Sequence, residues 1–250
     1  MYLDNKTAIV TGGGSGIGRE VALVYAREGA RVVVSDIAET SGEETVRLVE
    51  QATPGAEATF VRADSSRPED HDALVKAALD RFGALHVACN NAGIGGELNL
   101  VGEMSTEGWR KVIEVNLSGV FYAMRAQIPR MLEAGGGSIV NMASILGQVG
   151  TARSSGYVAA KHGVVGLTQT AAIEYASQGV RVNAVGPGYI DTPLLEDLPA
   201  DARNALVELH PIGRLGRAEE VAELVAWLSS DRASFVTGAY YPVDGAYLAR

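Results

Sequence analysis

Short β-rich runs alternate with longer helical stretches along this chain, and that alternation restricts the fold more tightly than any single residue does. The runs fall at 7–10, 31–35, 58–62, 85–89, 138–142, 181–185 and 240–243. Between most of them lie stretches of 3.6-residue apolar periodicity, at 17–28, 68–82, 107–132 and 156–177. Such an alternation reads as βαβ units, whose parallel strands are buried on both faces and so lack an apolar-polar alternation of their own. Ala8-Ile9-Val10, Val32-Val33-Val34 and Ser138-Ile139-Val140 have that near-continuous apolar character. The expected architecture is α/β, a doubly wound, seven-stranded parallel sheet with helices on both faces. At 250 residues, with no internal repeat, charged block or Pro/Ser-rich linker, the chain is expected to form one domain, 1–250. The least periodic segment, 187–217, is rich in Leu, Pro and charge and reads as a lid over a site.

Composition narrows the functional classes. A hydrophobic fraction of 47 % with 20 % charged residues is that of a globular protein with a substantial core. The apolar runs are strand length, far short of the ~20 residues of a membrane helix, so no membrane partner is expected. A formal net charge of −9 disfavours nucleic acid, which calls for a basic surface. The single cysteine, Cys89, sits in an apolar run and cannot form an intrachain disulfide, and the first residues lack a leader pattern, so a cytoplasmic location is expected. His71, His86, His162 and His210 are scattered without metal-ligand spacing, and no metal is expected.

The first strand run opens into Thr11-Gly12-Gly13-Gly14-Ser15-Gly16-Ile17-Gly18, and a helical run follows. A glycine-rich strand-to-helix turn is where a dinucleotide fold places its pyrophosphate: glycine tolerates positive φ and close backbone approach, and the helix presents its positive end. Ser15 and Ile17 belong to the same turn. Asp36, eighteen residues after Gly18, stands where an acidic side chain would accept from the adenosine ribose hydroxyls, or would cap the following helix. A carboxylate there repels the 2′-phosphate of NADP, and neither Ser15 nor Ile37 is a compensating cation, so NAD is the expected cofactor.

Tyr157 and Lys161 are four residues apart and so share one helix face, with Ser144 thirteen residues before Tyr157. Taken alone, such a pair is as readily a solvated helix face, and Ser144 a turn or cap residue. Taken together they can hold a proton acceptor. A phenol of pKa ~10 needs about 3 to 4 kcal/mol of phenolate stabilisation to drop two or three units, which a neighbouring ammonium and a cationic nicotinamide could supply.

With these residues in place the chain resembles the short-chain dehydrogenase/reductase family over nearly its whole length. Thr11, Gly12, Gly16 and Gly18 match the family's Thr-Gly-x-x-x-Gly-x-Gly turn, Asp64 its adenine-contacting Asp, and Asn90-Asn91-Ala92-Gly93 its Asn-Asn-Ala-Gly segment. Ser144, Tyr157 and Lys161, with Asn116, match its catalytic group. The resemblance implies a Rossmann fold and an NAD-dependent oxidoreductase that moves hydride between a secondary alcohol and a ketone. Tyr157 would be the general base and acid, Ser144 the donor to the substrate oxygen, Lys161 the grip on the nicotinamide ribose, and Asn116 the holder of a relay water. Pro187-Gly188, Ile190 and Thr192 resemble the segment that meets the nicotinamide carboxamide. Assembly as a homotetramer follows from the same resemblance. Candidate substrate contacts are Glu97, Gln148, Tyr189, Leu194, Leu195 and His210. Two other readings stay open: an NADPH-dependent 3-ketoacyl thioester reductase, against which Asp36 argues, and a non-catalytic dinucleotide sensor, which has no need of Ser144, Tyr157 and Lys161 together.

Overall fold

All five residues of β1 (Thr7–Thr11) are buried, as befits an interior strand covered on both faces. The computed structural model describes residues 1–196 and 198–250; Asp197, inside the 187–217 segment, lies outside the described residues. After β1 the chain runs through α1 (Gly16–Arg27), β2 (Arg31–Asp36), α2 (Glu39–Ala52), β3 (Ala58–Arg62), α3 (Pro68–Phe82) and β4 (Val87–Asn90). It continues through α4 (Thr106–Ile113), α5 (Gly119–Glu133), β5 (Gly137–Met142), α6 (Ser155–Tyr175) and β6 (Val180–Pro187). A short β7 (Ile190–Asp191), α7 (Ala200–Glu208), β8 (Gly216–Arg217), α8 (Ala218–Ser229) and β9 (Tyr240–Val243) complete it. The main sheet has seven strands in the order β3-β2-β1-β4-β5-β6-β9, every neighbouring pair parallel. The expected doubly wound sheet is therefore present.

Helices cover both faces. One core layer packs Val21, Tyr25 and Ala26 of α1 and Ala222, Val225 and Ala226 of α8 on the sheet. Tyr25 is wholly buried, and its hydroxyl meets that of Ser229 at 2.7 Å, which answers the polar cost of burying a phenol between the two helices. The other layer is built from Leu74, Val75 and Ala78 of α3, Val120, Met124 and Ile128 of α5, and Val164 and Val165 of α6. The strand order reverses between β1 and β4, and it is outside the carboxyl ends of strands at such a reversal that open α/β sheets form their crevice.

Two segments differ from the sequence reading. The periodic stretch 107–132 is not one helix: Glu114–Ser118 form a π turn between α4 and α5. One extra residue in a helical turn leaves the apolar periodicity on either side nearly intact, so the pattern does not betray it. The 187–217 segment has structure of its own, the α7 helix and the parallel β7–β8 pair, in which Ile190 stands opposite Gly216. Among the described residues no helix is long and apolar enough to cross a membrane.

Candidate active site

The glycine turn after β1 is shaped by contacts that no side chain would tolerate. Gly12 and Gly16 have φ of +62° and +51°. At Gly18 a Cβ would stand 2.1 Å from the Gly12 carbonyl oxygen. Asn91 clasps the turn from the end of β4, its Nδ2 donating to the carbonyls of Thr11 at 3.0 Å and Gly12 at 3.1 Å. The Thr11 hydroxyl returns the tie, accepting from the N–H groups of Asn91 and Ala92 at 3.1 and 3.2 Å. Ser15, at the head of α1, makes no side-chain cap, and the first turn carries no acid. The leading N–H groups of α1 are thus left for an anion, which is the fit a pyrophosphate requires.

Asp36 ends β2 with both carboxylate oxygens accepting backbone N–H groups, Oδ2 from Gly14 and Oδ1 from Ala38, each at 2.9 Å. It braces the glycine turn and the entry to α2 at once. The Arg19 guanidinium donates to the Gly14 carbonyl and, at 3.1 Å, to the Thr45 hydroxyl. Asp64, beyond β3, accepts from the N–H and hydroxyl of Ser66 at 2.9 and 2.7 Å, and these bonds hold its carboxyl below the ordinary range.

Around the end of β5 the four residues of the sequence-predicted catalytic group come together. Ser144 leaves the sheet after β5, and its hydroxyl accepts from the Leu146 N–H at 3.2 Å, capping a short 3₁₀ turn. Tyr157 lies in the first turn of α6. Lys161, one turn on and 3 % exposed, donates from Nζ to the Met142 carbonyl at 2.7 Å and sits 5.5 Å from the centre of the Tyr157 ring. Asn116 is wholly buried in the π turn, its Oδ1 accepting from the Ile94 N–H and its Nδ2 donating to the Ile94 carbonyl, both at 2.8 Å. Gly93 joins the two halves: a Cβ there would lie 3.1 Å from Asn116 Oδ1 and 3.7 Å from Lys161 Nζ. The Asn116 side chain is thus tied to Ile94 through both its oxygen and its nitrogen.

The electrostatics of this group are set by burial. Desolvation raises the Tyr157 phenol, while a hydrogen bond from the Ser144 hydroxyl pulls it back and the Tyr189 phenol pushes it up. Desolvation alone drops the Lys161 ammonium to about 8. The protein by itself therefore does not depress the phenol as the sequence argument required; the rest of that stabilisation has to arrive as positive charge beside it.

Lys161 also carries a stability consequence. Its folded pKa is about 8 and the ordinary lysine value 10.5, so between those pH values the unfolded chain binds the proton and the folded one does not. Stability contributed by this group rises with pH across that window, and below it the folded state carries a penalty of up to about 3 kcal/mol, less what the Met142 bond returns. Lys161→Met is therefore expected to melt several degrees higher than the native protein at pH 7, with the gain shrinking toward pH 10.5. Thermal melts across pH check this, and equal midpoints at pH 7 would show that Lys161 carries no burial penalty.

The segment after β6 closes over this crevice. Pro187 ends the strand, the Gly188 N–H donates to the Val243 carbonyl at 3.0 Å, Ile190 is buried, and Thr192 stands over Gly16, where a Cβ would be 3.3 Å from its own. The candidate substrate residues scatter more. Gln148 and Glu97 are exposed, and Glu97 accepts from the Ser105 hydroxyl at 2.8 Å. Leu194 is 70 % exposed, and Leu195 and Tyr189 are partly buried. His210 is buried and both its nitrogens are engaged: Nε2 accepts from the Tyr189 N–H at 3.1 Å and Nδ1 donates to the Leu206 carbonyl at 2.8 Å. It has no polar atom left to offer a substrate and instead ties α7 to the 187–192 turn.

Two features were missed in the sequence. A buried polar chain runs under the site, Gln127 Nε2 to Asn90 Oδ1 at 2.8 Å, Asn90 Nδ2 to Asn141 Oδ1 at 2.9 Å, and Asn141 Nδ2 to the Thr168 hydroxyl at 2.9 Å. Asn141 inside an otherwise apolar strand run was the available signal. Arg153, with φ of +68°, donates to the Leu98 carbonyl at 3.2 Å and ties the loops on either side of the crevice mouth. Among the described residues no three His, Cys, Asp or Glu side chains converge as a metal site.

Comparison with known proteins gives one consistent answer. A family model described as enoyl-(acyl carrier protein) reductase matches residues 12–247. The chain is 54 % identical over 247 residues to a cyclohexanol dehydrogenase of Acinetobacter sp. (strain SE19), covering 99 % of this chain and 96 % of that one. It is 48 % identical to a cis-4-hydroxycyclohexanecarboxylate dehydrogenase of Sinomonas cyclohexanicum, covering 98 % and 97 %. The crystal structure of levodione reductase superposes with a TM-score of 0.96 at 38 % identity, over 99 % of both chains. The likeness to these oxidoreductases runs over nearly the full length of each chain. The chain belongs to the short-chain dehydrogenase/reductase family, and is an alcohol dehydrogenase/ketone reductase that uses a nicotinamide dinucleotide.

Proposed function

We propose that this protein is an NAD-dependent dehydrogenase of cyclic secondary alcohols, with Tyr157 as the group that takes the alcohol proton. The observation that carries the reading is the placement of Tyr157 beside the Ser144 hydroxyl with the Lys161 ammonium 5.5 Å from its ring centre. Nicotinamide, when bound, accepts the carbinol hydrogen as hydride. Tyr157 Oη receives the hydroxyl proton and returns it to the oxygen when a ketone is reduced. The Ser144 hydroxyl donates to the substrate oxygen and so holds it at hydrogen-bond distance from Oη. Lys161 biases the phenol toward its ionised form, and its ammonium, near 8, passes protons readily at neutral pH. Asn116 would hold the water that leads those protons out. Gly12, Ser15, Gly16, Ile17 and Gly18 would hold the pyrophosphate, Asp64 the adenine, and Pro187, Gly188, Ile190 and Thr192 the carboxamide, while Asn91, Ala92 and Gly93 would line the cofactor between the glycine turn and Lys161.

Two arguments supply the finer terms. NAD over NADP rests on Asp36, whose carboxylate is pinned at the end of β2 by Gly14 and Ala38, while the nearest cation, Arg19, is committed to Gly14 and Thr45. The ring rests on relatives named for cyclohexanol and cis-4-hydroxycyclohexanecarboxylate at 54 % and 48 % identity. These weigh against the thioester reading. A homotetramer is supported by Trp109, Phe121 and Ile173, apolar side chains left exposed on α4, α5 and α6; a monomer in a sizing experiment would remove it. The cytoplasm is the compartment that fits a lone buried thiol.

The test is a panel of cyclohexanol, its 4-carboxylate, a sugar, a steroid alcohol and a 3-hydroxyacyl thioester, each with NAD or NADP. Cyclohexanol with NAD is expected to give the highest kcat/KM, more than about a hundredfold above NADP. Turnover of the thioester with NADP would restore the rival enzyme, and NAD binding with no turnover of any alcohol would favour a sensor.

A further inference from the structure

We propose that Tyr240 is a positioning residue for the reaction: its phenol reaches from β9 across β6 to the main-chain carbonyl of Ser144 and so sets where the Ser144 hydroxyl stands against Tyr157. The Tyr240 hydroxyl donates to the Ser144 carbonyl at 2.9 Å, joining residues 96 apart in the chain. The path between them is open only because Gly186 lies beneath it. A Cβ at Gly186 would be 1.9 Å from the Tyr240 hydroxyl and 2.2 Å from the ring carbon that bears it. Tyr240 and Gly186 thus form a matched pair on neighbouring strands, paired in register through Ala184 opposite Tyr240 and Gly186 opposite Pro242.

Ser144 needs such a support. The last bond that anchors the chain to the sheet is from the Ala143 N–H to the Val185 carbonyl at 2.8 Å. Beyond it Ser144 is held by its own tight turn, its carbonyl accepting from the Gly147 N–H at 2.8 Å and its hydroxyl from the Leu146 N–H at 3.2 Å. Both of those partners move with the turn. The Tyr240 hydroxyl ties the Ser144 carbonyl to a separate element, and it fixes the Ser144 peptide plane relative to the sheet. The ring packs in the same core layer as Val164 and Val165 of α6, the helix that carries Tyr157 and Lys161. Burial pushes the Tyr240 phenol up, so it stays a neutral donor through the working range. A tyrosine serving only to pack would bring the same ring but would have no reason to meet this carbonyl.

The proposal rests on the dehydrogenase reading above, and its test separates the two. Tyr240→Phe keeps the ring and removes the bond. In the protein without cofactor, amide hydrogen exchange at Leu146 and Gly147 is expected to quicken about tenfold or more, with α8 amides unchanged; unaltered exchange at those two positions would overturn the proposal whatever the substrate. With the alcohol that the native protein turns over best, kcat is expected to fall roughly five- to twentyfold while NADH affinity stays within about twofold. The acid limb of the kcat profile should move up by about half a pH unit, because Ser144 then bonds Tyr157 less well. In a Ser144→Ala background the same change should have less than about a twofold effect. A lowered melting temperature with unchanged kcat and pH profile, or a full loss repeated in the Ser144→Ala background, would make Tyr240 a packing residue. Tyr240→Leu, measured alongside, must give the same kinetic signature. Failure of the native protein on every alcohol would strike the dehydrogenase reading and leave the exchange result standing.

Discussion

Tyr157→Phe is expected to lower kcat for alcohol oxidation by about three orders of magnitude while leaving NADH affinity within roughly twofold, since a positioned acid-base group contributes about a hundred- to ten-thousandfold. The substitution deletes one oxygen from a partly buried ring, removes only the Ser144 bond to it and leaves the Leu146–Ser144 and Lys161–Met142 bonds in place, so the site should keep its shape. No other group can take over. Lys161 Nζ is 5.5 Å from the Tyr157 ring centre and is directed at the Met142 carbonyl, and the Ser144 hydroxyl is too weak a base at neutral pH. The pH dependence has a definite sign. Because desolvation holds the Tyr157 phenol above its ordinary value, alcohol oxidation by the native protein should rise as pH climbs from neutral into the alkaline range. Ketone reduction, which needs the protonated phenol, should not fall until higher pH. Steady-state rates with a fluorescence titration of NADH decide the matter: parallel loss of binding and turnover would mean that Tyr157 holds the cofactor rather than the proton.

The second large effect is expected at Gly18. In Gly18→Ala the new methyl would stand 2.1 Å from the Gly12 carbonyl oxygen and 2.5 Å from Asn91 Nδ2. Neither is a flexible chain end: one is backbone, and the other is the amide that clasps β4 to the turn. The turn must open, and both its overpacking and the lost Asn91 bonds count against the fold, about 2 to 4 kcal/mol together. A midpoint lowered by roughly 5 to 15 °C follows for a chain of this size. NADH affinity should drop by more than about a hundredfold, since the N–H groups that face the pyrophosphate are carried on the same turn. Gly95→Ala is the control, because nothing lies within 4 Å of a Cβ at that position. Native-like melting and NADH binding by Gly18→Ala would show that the turn yields more easily than its contacts imply.

How far the site could be read in advance depended on what kind of contact makes it. Tyr157 and Lys161 were legible because a spacing of four puts two side chains on one helix face in any helix. The glycine turn was legible because positive φ and close approach leave few residue types possible. His210 was placed among the substrate contacts on position alone, yet its two nitrogens serve Tyr189 and Leu206, a commitment that depends on the end of α7 meeting the turn after β6. The π turn at Asn116 escaped for a different reason: it shifts the helical register by one residue without altering which residues are apolar.

The sequence by itself determined the seven strands of the main sheet, their burial on both faces and the spacing that puts Tyr157 and Lys161 on one helix. These follow from local rules, the period of apolar residues and the conformational limits of glycine, which act between near neighbours whatever the rest of the chain does. Only the tertiary structure decided that Asn116 is spent on Ile94, that Tyr240 meets Ser144 over the bare Cα of Gly186, and that the Lys161 ammonium falls to about 8. Strand register and helix packing bring those groups together from distant parts of the chain, and desolvation is a property of the folded interior that no stretch of sequence possesses alone.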